Sequence, residues 1–452
     1  MSTDSAEKNE SAPAVEKCEA SSWRGREEEN EIVVAVDVGS ARVACAVAEI
    51  TDDGLELVAA ESATSYGIRG GEIVDIKRAS EAIQIAIDSA AEKAEADVKT
   101  VVVGLAGDVK LSSAKAAMDL DAEHRTVTAC DVSRLRKHVG ADTGPGRRVV
   151  HRFDGPYTVG DLQGVERPEG LSGDRLEVQA AFLSAAGDRL DNLLKAVRAS
   201  GVEIEAVSLE PLSCSMGALS EDERTLGAAV LDLGAGAFRG ALWEGGRLRQ
   251  IHLVDRENSP IRSQSGRCLA AVGGMEGVVM AVARRFRIAP ATAERLMRTH
   301  AALGDDELAT LPPSVEVAAV DGLGSVNIET RELSRTVEEL LSPVARALRE
   351  GLSGFSAGHS VGVVLTGGGA RLKGMPAWIT RRFGGATVRV GTPRWTVPED
   401  LDVPKELAGS SGCSLYGLLL LGAQNRAELR CKRSASFFGR IADTMRRLVA
   451  SF

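Results

Sequence analysis

Apolar residues in this chain fall into short runs with two different periods, separated by glycine-rich turns. Ile32-Val33-Val34-Ala35-Val36-Asp37-Val38-Gly39 reads as a buried strand that ends in a turn, and Arg42 to Ala48 reads as the outgoing strand of a hairpin. Leu55 to Ala60 gives a third strand, and Thr100 to Leu105 a fourth. Between them, residues 78–96 place Ile83, Ile87 and Ala91 at helical spacing. Residues 188–200 do the same with Leu190, Leu193, Leu194 and Val197. From Thr225 the opening pattern returns: Val230-Leu231-Asp232-Leu233-Gly234 repeats the grammar of Val34 to Gly39, and Phe238 to Trp243 repeats the outgoing strand. A recurrence about 195 residues apart implies two related lobes, each presenting a strand-turn-strand with an Asp at the strand end.

Further on, Met275 to Phe286 and Ala291 to Met297 predict helices, and the polar stretch 256–267 predicts a loop. Thr336 to Leu352 predicts a helix that Pro343 kinks or breaks. Val361 to Thr366 is a buried strand running into Gly367-Gly368-Gly369, and Ser414 to Arg426 a hydrophobic helix. The region 108–186, punctuated by Gly and Pro, reads as a small inserted module, and 304–331 as loops with short strands.

Length and charge narrow the classes. At 452 residues more than one lobe is expected. The net charge of −10, with no basic stripe through the body, argues against a nucleic-acid partner. Seven cysteines without a CxxC pair predict reduced thiols rather than a disulfide framework or zinc site. No signal peptide and no membrane-spanning run is expected, and residues 1–30, rich in Glu, Ser, Lys and Ala, predict a disordered acidic tail.

The chemistry concentrates at the turns. Glycine after a strand lets the backbone turn sharply, and successive N–H groups in such a turn make an anion-binding concavity. An Asp beside it can hold hydrated Mg2+ against phosphate charge. Gly39-Ser40-Ala41-Arg42 and Gly234-Ala235-Gly236-Ala237 would then grip phosphates from two sides, with Arg42 adding a charge contact and Asp37 and Asp232 holding the metal through water. Gly367-Gly368-Gly369 would let a third backbone segment approach the ligand, with Arg371 just beyond. One Asp-x-Gly turn is common in ordinary hairpins; two at strand ends with a third glycine run are not.

These motifs resemble those of the actin/Hsp70 superfamily. Asp37-Val-Gly-Ser-Ala-Arg is similar to its first phosphate loop, Leu231-Asp-Leu-Gly-Ala-Gly-Ala to its second, and Leu365-Thr-Gly-Gly-Gly-Ala-Arg-Leu to its adenosine motif. Within it the chain resembles the FtsA family of bacterial cell-division proteins over about 31–452, through residues 67–94, Gly170-Leu171-Ser172-Gly173 with Arg175-Leu176-Glu177, and Leu219 to Arg224. The resemblance implies an α/β, actin-like ATPase fold of two lobes, each a mixed sheet flanked by helices. It assigns 31–107 to the first lobe's core, 108–186 to an inserted subdomain, and 187–224 to that core and a crossover helix. It assigns 225–255 and 336–392 to the second lobe's core, 256–335 to its smaller subdomain and 393–426 to a return to the first lobe. Residues 427–433 become a basic linker, and 434–452 a membrane-targeting helix.

The resemblance also implies ATP with Mg2+ as cofactors, Asp37 and Asp232 as the acids of the two loops, Glu210 as the group that orients the attacking water, and Glu294 as an adenosine contact. The second loop departs from the family. Ala235 replaces a glycine, Ala237 a threonine, and Arg239 stands where an acid is usual, while Met297 replaces a basic residue near the adenosine. Lost hydroxyl and acid groups threaten hydrolysis more than binding, so ATP binding with weak or absent hydrolysis is expected.

At the C-terminus Phe438, Ile441, Met445, Leu448, Val449 and Phe452 recur at three- and four-residue spacing, with Phe437 beside them. Arg440 and Arg447 lie off that stripe, and Arg446 on its flank. The pattern fits a helix in a lipid interface, a helix packed on the body, or a partner-binding helix. The resemblance selects the first. It further implies partners: the C-terminal peptide of FtsZ on the smaller subdomain, a head-to-tail polymer of the chain itself, anionic lipids, and downstream division proteins. It places the chain at the cytoplasmic face of the inner membrane at the division site. A pilus-assembly actin relative would lack the terminal amphipathic helix, which liposome flotation would detect. A sugar kinase of the same fold would need a substrate pocket and a catalytic Asp, which phosphotransfer assays would detect.

Overall fold

The computed structural model describes residues 31–427, apart from 53, 121–124, 256–272, 321, 323 and 359. The predicted acidic tail, the loop at 256–267 and the C-terminal stripe at 434–452 lie outside the described residues.

The chain begins with β1 (Ile32–Val38), β2 (Arg42–Thr51) and β3 (Gly54–Thr64), an antiparallel meander. A small pair, β4 (Ile68–Arg69) and β5 (Glu72–Ile73), leads into α1 (Ile76–Ala94), whose N-cap Asp75 accepts from the Arg78 N–H. Then β6 (Thr100–Leu105) joins β1 in parallel. Before the next strand of this sheet the chain makes a detour: β7 (Val109–Asp119), β8 (Arg125–Thr126), α2 (Ala129–His138), β9 (Arg147–Val159), β10 (Leu162–Val165), β11 (Ser172–Gly173) and β12 (Arg175–Ala186). Four of these strands form a separate sheet in the order β10-β9-β12-β7. Its core is built by alternation, since Leu176, Val178, Ala180 and Phe182 of β12 point to one buried face. Helix α3 (Gly187–Ala199) and β13 (Glu203–Leu209) return the chain to the first sheet, completing the order β13-β6-β1-β2-β3.

After α4 (Glu210–Ala218) and α5 (Glu221–Leu226) the plan repeats. β14 (Ala228–Leu233), β15 (Phe238–Glu244) and β16 (Arg247–Val254) form a second meander. Helices α6 (Gly274–Phe286), α7 (Pro290–His300) and α8 (Asp305–Ala309), the hairpin of β17 (Ser314–Ala318) and β18 (Ser325–Glu329), and α9 (Thr330–Gly351) follow. β19 (Gly362–Thr366) joins β14 in parallel, and after α10 (Met375–Arg382) β20 (Val388–Val390) joins β19. The second sheet, β16-β15-β14-β19-β20, thus matches the first strand for strand and sense for sense. Short α11 (Lys405–Ala408) precedes the last described helix, over 413–427.

Two predicted boundaries change. The helix expected from Thr336 begins at Thr330, and Pro343 does not break it: α9 runs 22 residues through the proline. A lost backbone bond and ring clash cost roughly 3 kcal/mol. Against that, Leu333, Val337, Leu341, Val344, Ala345 and Leu348 are buried on one stripe, each large side chain contributing about 1.5–3 kcal/mol. Tertiary burial outweighs the local penalty. The stretch 304–331 also contains a helical turn, α8, besides its strands.

Both faces of the first sheet are covered, so its strands are apolar throughout. Val34, Val36 and Val38 pack with Ile83, Ile87 and Leu193 of α1 and α3 on one side. Val33 and Ala35 pack on the other against Leu415, Leu418 and Leu419 of the 413–427 helix. That helix crosses α4 at near contact. A Cβ on Gly217 would lie 1.8 Å from the Cys413 carbonyl oxygen, and one on Gly417 1.8 Å from that of Ser213. Two glycines allow this crossing, which packs the body of α4 against the 413–427 helix. No described helix is long and apolar enough to cross a membrane.

Candidate functional site

The first turn is fixed by the hairpin itself. Gly39 N–H donates to the Arg42 carbonyl at 3.1 Å, and the Ser40 hydroxyl accepts from Gly71 N–H at 2.7 Å. The second turn is held from outside: Met275 and Glu276, at the start of α6, donate their N–H groups to the Gly234 and Ala235 carbonyls at 3.0 Å. The two turns meet. A Cβ on Gly236 would come within 2.4 Å of Ser40 Oγ and 2.8 Å of Gly71 N, so only glycine allows this approach. The third turn opens at Gly367 with φ +78, where a Cβ would fall 2.5 Å from Asp232 Oδ1. Glycine there seats the turn directly on the acid of β14.

The three turns border one cleft of about 560 Å3. Asp37 stands near the end of β1, Asp232 near the end of β14, and Glu210 opens α4. Gly39, Ser40, Ala41 and Arg42 line one side, Gly234, Ala235 and Gly236 the other. Gly367, Gly368, Gly369 and Arg371 come in from behind β19, and Glu294 from α7. Ala237 is the exception: it is buried behind its turn and is not among the lining residues. Glu294 is held by Arg298 at 2.6 Å one helical turn on, in an exposed pair, and Arg371 lies 3.8 Å from Glu406. Arg42 donates to the Ser411 carbonyl at 3.2 Å, from a site where burial lowers its pKa.

Sequence reasoning missed several lining residues. Gly71, Met275, Glu276 and Cys214 are remote in sequence, and Gly70-Gly71 was the one visible signal. Arg239, noted in the sequence as a departure in the second loop, is the residue whose placement matters most. It was visible as a charged residue in the otherwise apolar run Phe238 to Trp243, and it lies opposite Asp232 in the β14–β15 register. Its side chain is buried, with Nη1 2.8 Å from Asp232 Oδ2 and Nη2 2.7 Å from Glu210 Oε2. The Glu210 contact is close but poorly aligned, an ion pair rather than a hydrogen bond. Burial drives the pKa shifts here. It raises the Glu210 carboxyl against the opposing pull of Arg239, and pushes Asp37 up to about 6 against Arg42. Arg239 stays charged: its two carboxylates outweigh its own desolvation.

Both oxygens of Asp232 are engaged. Oδ2 accepts from Arg239, and Oδ1 accepts from the Thr366 hydroxyl at 3.4 Å while abutting Gly367. Glu210, Cys214 and Asp232 lie close enough to share an ion. A guanidinium already sits between the two carboxylates, however, and burial raises the Cys214 thiol pKa, keeping it protonated. The donor set therefore does not suit the Mg2+ expected at Asp232; Asp37 alone of that pair keeps a carboxylate without an ion pair among the described residues.

Comparison with known proteins follows the same lines. Residues 107–184 match the family model of the SHS2 domain inserted in FTSA. Cell division protein FtsA of Pseudomonas aeruginosa is 29% identical over 404 residues, spanning 88% of this chain and 90% of the relative. That of Escherichia coli is 28% identical over 390 residues, spanning 81% and 85%. The Bacillus subtilis protein is 26% identical over 373 residues, spanning 81% and 80%. Among solved structures, the PilM-PilN type IV pilus biogenesis complex aligns with TM-score 0.55 at 16% identity, covering 86% of this chain and 98% of the other. MreB5 of Spiroplasma citri bound to ADP aligns with TM-score 0.51 at 12% identity, covering 88% and 98%. These two likenesses are of fold, the actin-like one.

Proposed function

Because the chain belongs to the FtsA family of actin-like cell-division proteins, we propose that it is an ATP-binding adaptor that ties the FtsZ ring to the membrane. The observation that carries the nucleotide part is the cleft. Two equivalent strand turns, from sheets of one topology, meet across about 560 Å3 with a third glycine turn behind. Backbone donors at Gly39 to Ala41 and Gly234 to Gly236 take the phosphates, Arg42 adds charge, and the Gly367 turn, Arg371 and Glu294 border the adenosine. Hydrolysis is weak or absent. Ala237 brings no hydroxyl, and Glu210, the candidate for orienting water, is ion-paired to Arg239.

The rest of the role rests on family membership and on sequence pattern. The chain assembles head to tail, receives the FtsZ C-terminal peptide on the subdomain at 256–335, and recruits later division proteins. Its 434–452 stripe lies in anionic lipid at the cytoplasmic face of the inner membrane, at the division site. One amphipathic helix binds reversibly, so assembly multiplies its grip through avidity. Co-sedimentation with anionic vesicles tests this, using the full chain and a chain ending at Lys432, with and without ATP. Binding by the full chain alone, followed by FtsZ recruitment to those vesicles, is the expected result. Equal behaviour of the two chains would remove the anchor.

A further inference from the structure

We propose that the cleft takes its nucleotide without a bound divalent cation, the Arg239 guanidinium standing where a metal would otherwise be held. This rests on the nucleotide reading of the cleft. Three observations outside that reading support it.

First, one of the two acids expected to hold a metal is used up, which leaves Asp37 alone to do so. Asp232 gives Oδ2 to Arg239 at 2.8 Å and Oδ1 to Thr366 at 3.4 Å, and Gly367 closes against it. A hydrated divalent cation needs carboxylate oxygens free to accept from its water shell. Second, the positive charge is already built in. Arg239 lies 2.8 Å from Asp232 and 2.7 Å from Glu210, and a second cation at that spot would meet like charge in a buried, weakly screened place. Third, the guanidinium is at the phosphate turn. A Cβ on Gly234 would lie 3.4 Å from Arg239 Nη1. Its Nε is buried and makes no hydrogen bond among the described residues, so the guanidinium is not fully satisfied by the protein. A guanidinium is suited to this exchange, because it pairs with carboxylate and phosphate through the same planar fork and keeps its charge at any working pH.

The test is ATP binding by calorimetry on the full chain, in excess Mg2+ and in excess EDTA. Dissociation constants within about threefold of each other are expected. Weakening by more than about threefold in EDTA overturns the inference while leaving the nucleotide site intact. No binding in either condition overturns the nucleotide reading and this inference with it. Arg239→Gln sharpens the result: it frees both carboxylates, so its ATP binding should fall about tenfold or more in EDTA and recover in Mg2+. An Arg239→Gln protein that binds ATP equally in both conditions also overturns the inference. Should that variant not fold, the two wild-type titrations decide alone.

Discussion

The two sheets are built on one plan, and their phosphate turns differ by where a single arginine sits. Offset by about 195 residues, Asp37 corresponds to Asp232, Gly39 to Gly234, Arg42 to Ala237 and Ala44 to Arg239. Across the first hairpin Asp37 faces Ala44; across the second Asp232 faces Arg239. In the first lobe the arginine starts β2 at the lip of the cleft and reaches the Ser411 carbonyl. In the second it sits two residues deeper on the strand and turns onto the acids. A shift of two residues keeps the side chain on the same face of the sheet. The same residue type therefore serves as a surface charge in one lobe and as a buried counter-ion in the other.

That contrast is easiest to break at Arg239. Arg239→Met leaves a buried Asp232 and a mostly covered Glu210 without a counter-ion, and breaking a buried pair this way costs about 3–5 kcal/mol. Calorimetric melting should show a drop of several degrees, the largest of any single substitution at the cleft. A melting temperature unchanged from wild type would mean that the guanidinium contributes little and that the lobes differ only in appearance. The structural position Ala44 in the other lobe carries no such debt, because Asp37 pairs with nothing across its hairpin.

The inserted sheet is the second asymmetry. Nothing in the second lobe matches it, and it touches the cleft's frame through His151 of β9. The His151 Nε2 accepts from Leu209 N–H at 3.3 Å, at the residue just before Glu210. Burial depresses the His151 pKa from 6.5 to about 4. The unfolded chain therefore takes the proton first as pH falls. Stability is untouched above about pH 6.5 and is lost progressively between about 6.5 and 4, by up to about 3 kcal/mol. His151→Gln keeps an acceptor for Leu209 and does not titrate. Relative to it, the wild type should lose ground in chemical denaturation across that window and nowhere above it. Parallel curves for the two proteins would show that this histidine does not couple folding to pH.

How far the sequence foretold these differences depends on what carries each signal. The paired strand turns were legible because an Asp and a Gly at fixed offsets after an apolar run survive in one dimension. The insert was legible only as a separate module; that β12 buries Leu176, Val178, Ala180 and Phe182 on one face is seen in the fold. Arg239 was visible as a departure from the family pattern, but not as a buried counter-ion. That role needs Glu210, which stands 29 residues earlier in the sequence and meets Arg239 only in the fold. Gly71 against Gly236 was hidden for the same reason, since the approach joins segments 165 residues apart. At Pro343 the local penalty shows in the sequence, whereas the buried stripe that carries α9 through the proline without a break depends on tertiary packing.

The smallest change sharpens the contrast most cleanly. Arg42 is only partly buried, and among the described residues its one hydrogen bond is to a backbone carbonyl at 3.2 Å and no carboxylate lies within salt-bridge distance of it. Arg42→Ala should therefore cost about 1 kcal/mol or less in stability, the ordinary worth of one such hydrogen bond. Its effect should appear in binding instead. Losing one charge-assisted contact to a phosphate weakens ATP binding by about tenfold, readable in the same calorimetric titration. The two arginines then separate by readout: Arg239→Met moves the melting temperature most, and Arg42→Ala moves the dissociation constant while the fold stands. If Arg42→Ala lowers the melting temperature as far as Arg239→Met does, the arginine at the lip is also a counter-ion, for Asp37. The lobes would then differ in the path by which charge is neutralised rather than in whether it is.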